Sequence, residues 1–270
     1  MPDYNYSEFV RVEQKESVAT ITLNRPERLN AIDDRMHQTL QKLFLEMDGD
    51  SGIHAIVITG AGRAFCSGGD VRDMDEQQQD SFKRKEFAPT RHSRHLLRNM
   101  LECETPIIAA VNGDAVGLGA SLALLCDVIF AAEGARIGDT HVRVGLAAGD
   151  GSAVVWSMLC GVARAKQYLM TGDLIGAREA ERIGLVNKVV PNGKAYEEAW
   201  KFAKRLADGP VQAIKWTKYS VNKLIKDQMN LTLDTSLALE GLTFLTEDHR
   251  EAAKAFVEKR APVFKKRKER

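Results

Sequence analysis

The chain is poor in the features that usually assign a protein quickly. It has four cysteines in 270 residues, at 66, 103, 126 and 160, with no C-x-x-C pair. That scatter argues against a disulfide framework and against a zinc site, and it suits a reducing compartment. No apolar run reaches the roughly 18 residues of a membrane span. The opening MPDYNYSEF is polar and lacks a signal-peptide core. An excess of charge is missing too: 38 basic and 37 acidic side chains leave +1. Such balance argues against a nucleic-acid or membrane-surface partner. A cytoplasmic protein is expected.

Standard motifs are also absent, each by a named residue. Gly60-Ala61-Gly62 begins a dinucleotide fingerprint, but Phe65 stands where its third glycine belongs. Gly117-Leu118-Gly119 fails at Leu122 in the same way. No G-K-[ST] follows a glycine, which excludes a P-loop, and Ser67 forms no G-x-S-x-G elbow. Cys66 as a nucleophile has no support; a small buried thiol is the plainer reading.

What is present is a pair of glycine-rich turns, AFCSGGD at Ala64–Asp70 and VNGDAVGLGAS at Val111–Ser121. Each follows a strand-like apolar run and leads toward a helix. Backbone N–H groups at such turns can hold a developing oxyanion. Phe9–Glu13 and Val18–Leu23 read as a hairpin, Asp33–Met47 as a helix capped by Asp33, and Ala55–Thr59 as a buried strand. Asp75–Thr90 reads as a polar loop or irregular helix over a site, and His92–Glu102 as a helix. Ile107–Val111 and Val128–Ala131 read as strands, with a small-residue helix over Ser121–Leu125 between them. Helices follow at Ser152–Leu159, Ala163–Met170 and Ala177–Ile183, then a last strand at Leu185–Val190. Ala195–Leu206, Val211–Ile225, Leu231–Phe244 and Glu247–Phe256 then read as helices alone. The alternation predicts an α/β domain over 1–207 and a helical region over 208–270, with the edge near Asp208–Pro210. An all-helical extension with little core of its own packs on a neighbour, in its own domain or another subunit.

These segments together resemble the crotonase (enoyl-CoA hydratase/isomerase) superfamily. The resemblance rests on NRPERLNAID at Asn24–Asp33, AIVITGAGRAFCSGGDVRDM at Ala55–Met74 and TPIIAAVNGDAVGLGASLALLCDVIFAAEGARIG at Thr105–Gly138. TGDLIGAREAERIGLVNKVVP at Thr171–Pro191 and EAAKAFVEKRAPVF at Glu251–Phe264 extend it over nearly the whole chain. The resemblance implies a spiral of ββα units with a helical C-terminal trimerisation region, and hence a homotrimer or hexamer. It implies an acyl-CoA thioester substrate, with coenzyme A entering only as part of that substrate and no metal. The thioester oxygen, charged as an enolate forms, would rest on the amides of Gly69 and Leu118. Arg28 would approach the CoA phosphates, Ser67, Asp70 and Val71 would line its channel, and Lys259 would reach the nucleotide. The remaining tail, Lys265–Arg270, reads as solvated.

The departures from the family pattern concern proton transfer. Hydratases of the family carry two glutamates where this chain has Ser121 and His141. Serine does not titrate near neutrality; it would cap its helix or position a water or substrate oxygen. Histidine, with an ordinary pKa of about 6.5, can accept or donate a proton there. Asp150, in GLAAGDGS, would either cap the following helix or shuttle a proton. His141 and Asp150 form an acid–base pair if they face one pocket. Double-bond isomerisation or an atypical reaction is therefore expected over efficient hydration. The alternative is an acyl-CoA-binding protein with little or no catalysis.

Overall fold

In the computed structural model, which describes Tyr4, residues 7–70 and residues 89–264, the strands fall into two sheets. Strand β1 (Val10–Lys15) alternates buried and more open residues, as an edge strand should. It pairs antiparallel with β2 (Val18–Leu23). Next come β3 (Ala55–Gly60) and β5 (Ile107–Val111), buried at every position. Such unbroken apolar runs suit parallel strands covered on both faces. With β7 (Val128–Ala132) and β10 (Lys188–Val190) they complete a six-stranded sheet in the order β1-β2-β3-β5-β7-β10, parallel beyond β2.

A second, four-stranded sheet holds β4 (Ala64–Cys66), β6 (Asp114–Val116), β8 (Arg136–Gly138) and β9 (Ile175–Gly176), in that order. After β1 and β2, which both lie in the first sheet, each passage of the chain leaves one strand in each sheet. Helices follow the pairs: α1 (Asp34–Asp48) after β1 and β2, α2 (Pro89–Glu102) after β3 and β4, and α3 (Leu118–Leu124) after β5 and β6. After β7 and β8 comes a short 3-10 turn, His141–Val144, and then α4 (Ser152–Cys160). This is the repeated ββα path expected from the sequence. The short strands of the second sheet were not predicted; at three residues or fewer they carry no periodicity to read.

Local chemistry explains the elements that flank the site. Asp33 caps α1, its Oδ1 accepting from the Met36 amide at 2.8 Å. The helix buries Met36, Leu40, Leu43, Phe44 and Met47 on one face, each worth roughly 1.5–3 kcal/mol of burial. Helix α2 starts at Pro89, earlier than the predicted His92, so the end of the predicted loop is helical. Residues 75–88 of that loop lie outside the described residues.

The C-terminal part continues through α5 (Val162–Thr171), α6 (Ala177–Arg182), α7 (Ala195–Ala207), α8 (Val211–Thr243) and α9 (Glu247–Val257). Helix α8 corrects the expectation of two helices. Its 33 residues run unbroken because Lys226–Asn230 holds neither glycine nor proline and Met229 stays on the buried face. It packs against α2 and α4 of its own chain. Lys218 pins it there, donating to Thr105 O at 2.8 Å and pairing with Asp127 at 2.9 Å, while Asn222 donates to Leu101 O. The last predicted strand is shorter than expected because Leu185–Asn187 still leaves α6, with Leu185 N–H bonded to Ala180 O. No helix among the described residues is long and apolar enough to cross a membrane.

Candidate active site

The two glycine turns meet. Gly68 sits at φ +95°, and a Cβ there would lie 2.9 Å from Val116 O and 3.6 Å from the Leu118 nitrogen. Gly119 is pressed as closely: its Cβ would fall 2.5 Å from Cys66 O. Glycine is needed here for close approach as much as for conformation. Around Gly69, a parallel bridge to Ile32 uses the Gly68 carbonyl at 2.8 Å and the Asp70 amide at 3.0 Å. The intervening Gly69 N–H faces the other way. Leu118 is the first residue of α3, behind Gly117 at φ +54°, and the first amides of a helix have no acceptor within it. Both expected oxyanion donors thus belong to adjoining turns.

Two asparagines hold this arrangement. Asn30 is fully buried at φ +57°; its amide donates to the carbonyls of Ala61, Ala64 and Phe65, and its oxygen accepts from Arg25 N–H. Asn112 donates to Gly62 O and accepts from Gly60 N–H. Neither was singled out from the sequence, although both sit inside the family-like segments.

Beside the turns lies a buried cluster of titratable side chains. His141 opens the 3-10 turn after β8, and its Cε1 lies 3.7 Å from where a Gly117 Cβ would be. Its Nδ1 is 2.6 Å from Asp139 Oδ1. Its Nε2 is 3.6 Å from Asp150 Oδ2 and 3.6 Å from Glu240 Oε1. Asp150 Oδ1 accepts from the hydroxyls of Ser121 and Ser152 at 3.2 Å each. The pairing of His141 with Asp150, open in the sequence, is therefore present.

The capping roles considered for Ser121 and Asp150 are corrected. Ser121 lies inside α3, fully buried, with its hydroxyl turned across to Asp150 and Ser152. Gly151, not Asp150, occupies the cap position of α4, and the Asp150 carboxylate faces the cluster instead. A carboxyl group from another loop is thus brought to Ser121.

Burial and charge compete within the cluster. Burial alone would strip the proton from His141, but Asp139, then Asp150 and Glu240, outweigh it and hold its pKa well above the ordinary value. Asp139 is resisted by burial yet lowered overall by the His141 charge and its hydrogen bond. Asp150 is raised, chiefly by burial. Glu240 is raised to about 8 by burial, with Asp150 and Asp139 adding repulsion. Ligand atoms of Asp139, His141 and Asp150 lie within 4.8 Å of one another, a spacing that admits a cation and equally suits a shared proton. The 2.6 Å Asp139–His141 bond engages Nδ1 in the second way.

The sequence reading missed Asp139, Ser152 and Glu240. Asp139 was legible in principle, because its side chain accepts from the His141 amide at 3.0 Å, a local D-x-H turn. Glu240 could have been noticed as a glutamate on the buried stripe of α8 with Met229, Leu233 and Leu237.

The expected CoA-binding residues are dispersed more widely. Arg28 is exposed, and Ser67 Oγ donates to its carbonyl at 3.4 Å, so those two are neighbours. Asp70 pairs with Arg25 at 3.2 Å. Lys259 is exposed just beyond α9. Val71 lies outside the described residues, as do Lys265–Arg270. Cys66 is buried, and burial pushes its thiol up to about 12, which leaves no thiolate for nucleophilic work.

Residues 13–267 match the family model described as enoyl-CoA hydratase/isomerase. The chain belongs to the enoyl-CoA hydratase/isomerase family. It is 36% identical over 256 residues to the short-chain-enoyl-CoA hydratase of Clostridium acetobutylicum, covering 93% of this chain and 95% of that one. It is 32% identical over 257 residues to the 1,2-epoxyphenylacetyl-CoA isomerase of Escherichia coli, covering 95% and 98%. A crystal structure of an enoyl-CoA hydratase/isomerase from Mycobacterium paratuberculosis superposes with a TM-score of 0.88 at 37% identity, covering 93% of this chain and 99% of that one. The crotonase fold expected from the sequence is thereby established.

Proposed function

We propose that this chain isomerises a carbon–carbon double bond in an acyl-CoA thioester through an enolate held at Gly69 and Leu118. The carrying observation is the placement of the His141–Asp150 pair, 3.6 Å apart, with the imidazole against the Gly117 turn. In a 3-enoyl thioester, Asp150 takes a proton from C2, and the electron pair spreads into a dienolate whose oxygen lies at the two amides. The same proton, returned at C4, leaves the 2-enoyl product, so the reaction is proton-neutral. A raised carboxyl pKa makes Asp150 a stronger base than a solvent-exposed aspartate. The adjacent imidazolium offsets the charge that develops. Two amide donors in such a role contribute roughly 3–4 kcal/mol each in the transition state.

Arg28, Ser67, Asp70, Val71 and Lys259 are proposed to hold the CoA portion, with no further cofactor. A cytoplasmic homotrimer or hexamer is the proposed form, with 208–270 as the region that oligomerises.

The test is turnover of 3-enoyl-CoA thioesters followed by chromatography of the products. Formation of 2-enoyl-CoA is expected, with kcat lowered about 10²–10⁴-fold in Asp150→Asn and His141→Gln and KM little moved. A 3-hydroxyacyl product from 2-enoyl-CoA, without isomerisation, would assign hydration instead. Tight CoA-ester binding with no product would leave the binding-protein alternative.

A further inference from the structure

The proton-transfer cluster does not end within the α/β part of the chain. Glu240 enters from α8, near the end of a helix that otherwise reads as packing structure. Its carboxyl comes within 3.6 Å of His141 Nε2, as near as Asp150 does. The residue is 8% exposed on a stripe of apolar residues, where a glutamate is costly unless it has a task or a partner.

The neighbouring loop is shaped to admit it. A Cβ on Gly149 would lie 2.2 Å from Glu240 Oε2 and 2.5 Å from its Cβ, so only glycine leaves the carboxyl its place. Three further bonds lock the loop to the same helical pair. Ser236 Oγ donates to Gly149 O at 3.0 Å, the Ala147 amide donates to Thr243 Oγ1 at 3.0 Å, and His249 Nδ1 lies 2.7 Å from Val144 O. The segment that carries Asp150 is thus held by the helix that carries Glu240.

We propose that Glu240 is a positioning residue of the proton relay: acting through His141, it holds the imidazole in its charged form and aims the Nε2–H between itself and Asp150. The charged groups around that imidazole come from three places: Asp139 after β8, Asp150 before α4, and Glu240 on α8. Asp139 fixes the Nδ1 side, so the Nε2 side is the one Glu240 and Asp150 share. When Glu240 is protonated it tops up the relay; when it ionises it adds a second anion beside Nε2. The active site is therefore completed by the C-terminal helix.

This inference rests on the proposed isomerase reading for its catalytic meaning, but its test does not need turnover. The charge of His141 is followed by ¹⁵N NMR across pH 5–10 in the whole chain labelled at histidine, with the signal assigned by its loss in His141→Gln. An opposite charge at this range shifts a pKa by roughly 1–3 units. In Glu240→Gln the His141 midpoint is expected to fall by about one unit, and the alkaline limb of kcat/KM to move down with it. At pH values above both midpoints that is about a tenfold lower rate than wild type. Gly149→Ala, which displaces the same carboxyl from the loop side, is expected to shift both midpoints the same way. A His141 titration in Glu240→Gln that superimposes on wild type would overturn the proposal, whatever the activity. A shifted titration in a wild-type background that turns over no thioester would sustain the Glu240–His141 link and sink the isomerase reading.

Discussion

The two halves of the site are built from different materials. The proposed anion-holding half is backbone: two glycine turns whose amides are placed by strands β4 and β6 and by the start of α3. The proposed proton-handling half is side chain: Asp139, His141, Asp150 and Glu240, drawn from a strand end, a 3-10 turn, a loop and the long C-terminal helix. The first has no group that titrates near neutrality and depends on close packing. The second depends on charge balance among buried groups.

The sharpest way to break this comparison is Gly119→Ala. The new methyl would meet Cys66 O at 2.5 Å and spread the two turns apart. Loss of about 10²–10³-fold in kcat/KM is expected from misplaced oxyanion donors, with a lowered Tm and an unchanged His141 titration. If the variant kept wild-type rates, the turns would not be the anion-holding half.

A second effect separates the halves by pH. Glu240 and His141 both have raised pKa values in the folded chain, so it binds protons that the unfolded chain releases. For Glu240 the associated stability is greatest below its ordinary carboxylate range and is lost as pH rises toward about 8. His141 contributes fully below about 6.5 and loses its share as pH climbs through its higher folded value. Asp139, lowered on folding, acts oppositely and only in acid. Melting curves from pH 5 to 8.5 should therefore show Tm falling, with a shallower slope in Glu240→Gln. Equal slopes would contradict the raised carboxyl.

The smallest expected effect is that of Ser121→Ala. It removes the hydroxyl hydrogen bond to Asp150, worth about 1 kcal/mol. A severalfold fall in kcat with KM retained is expected. A loss as large as that of Asp150→Asn would make Ser121 a direct participant.

The two glycine turns that meet were legible in the sequence. Glycines at 68 and 119 stand where backbone must approach backbone, Gly117 stands at a positive φ, and strand-like runs before them give the direction of the chain. The ββα path was legible for the same reason, since β3, β5 and β7 are long apolar runs. The second half was only partly legible. His141 and Asp150 stood out as residues, but their contact depends on how a 3-10 turn and a loop fold back on α3. Glu240 stood on a readable buried stripe, but no local pattern says that this helical position faces a site at residues 139–150, far earlier in the chain. Ser121 was misjudged because capping is a local role, while its hydroxyl is used across the core.

Gly149, whose missing side chain makes room for Glu240, has a consequence for how the protein comes into being. As the chain leaves the ribosome, its N-terminal part is the first able to fold. Both glycine turns and Asp150 are then already made, while Glu240 has yet to emerge. The gap beside Gly149 is a berth kept open during synthesis. The proposed relay comes complete only when the long helix docks into it, so its assembly waits until synthesis has passed Glu240.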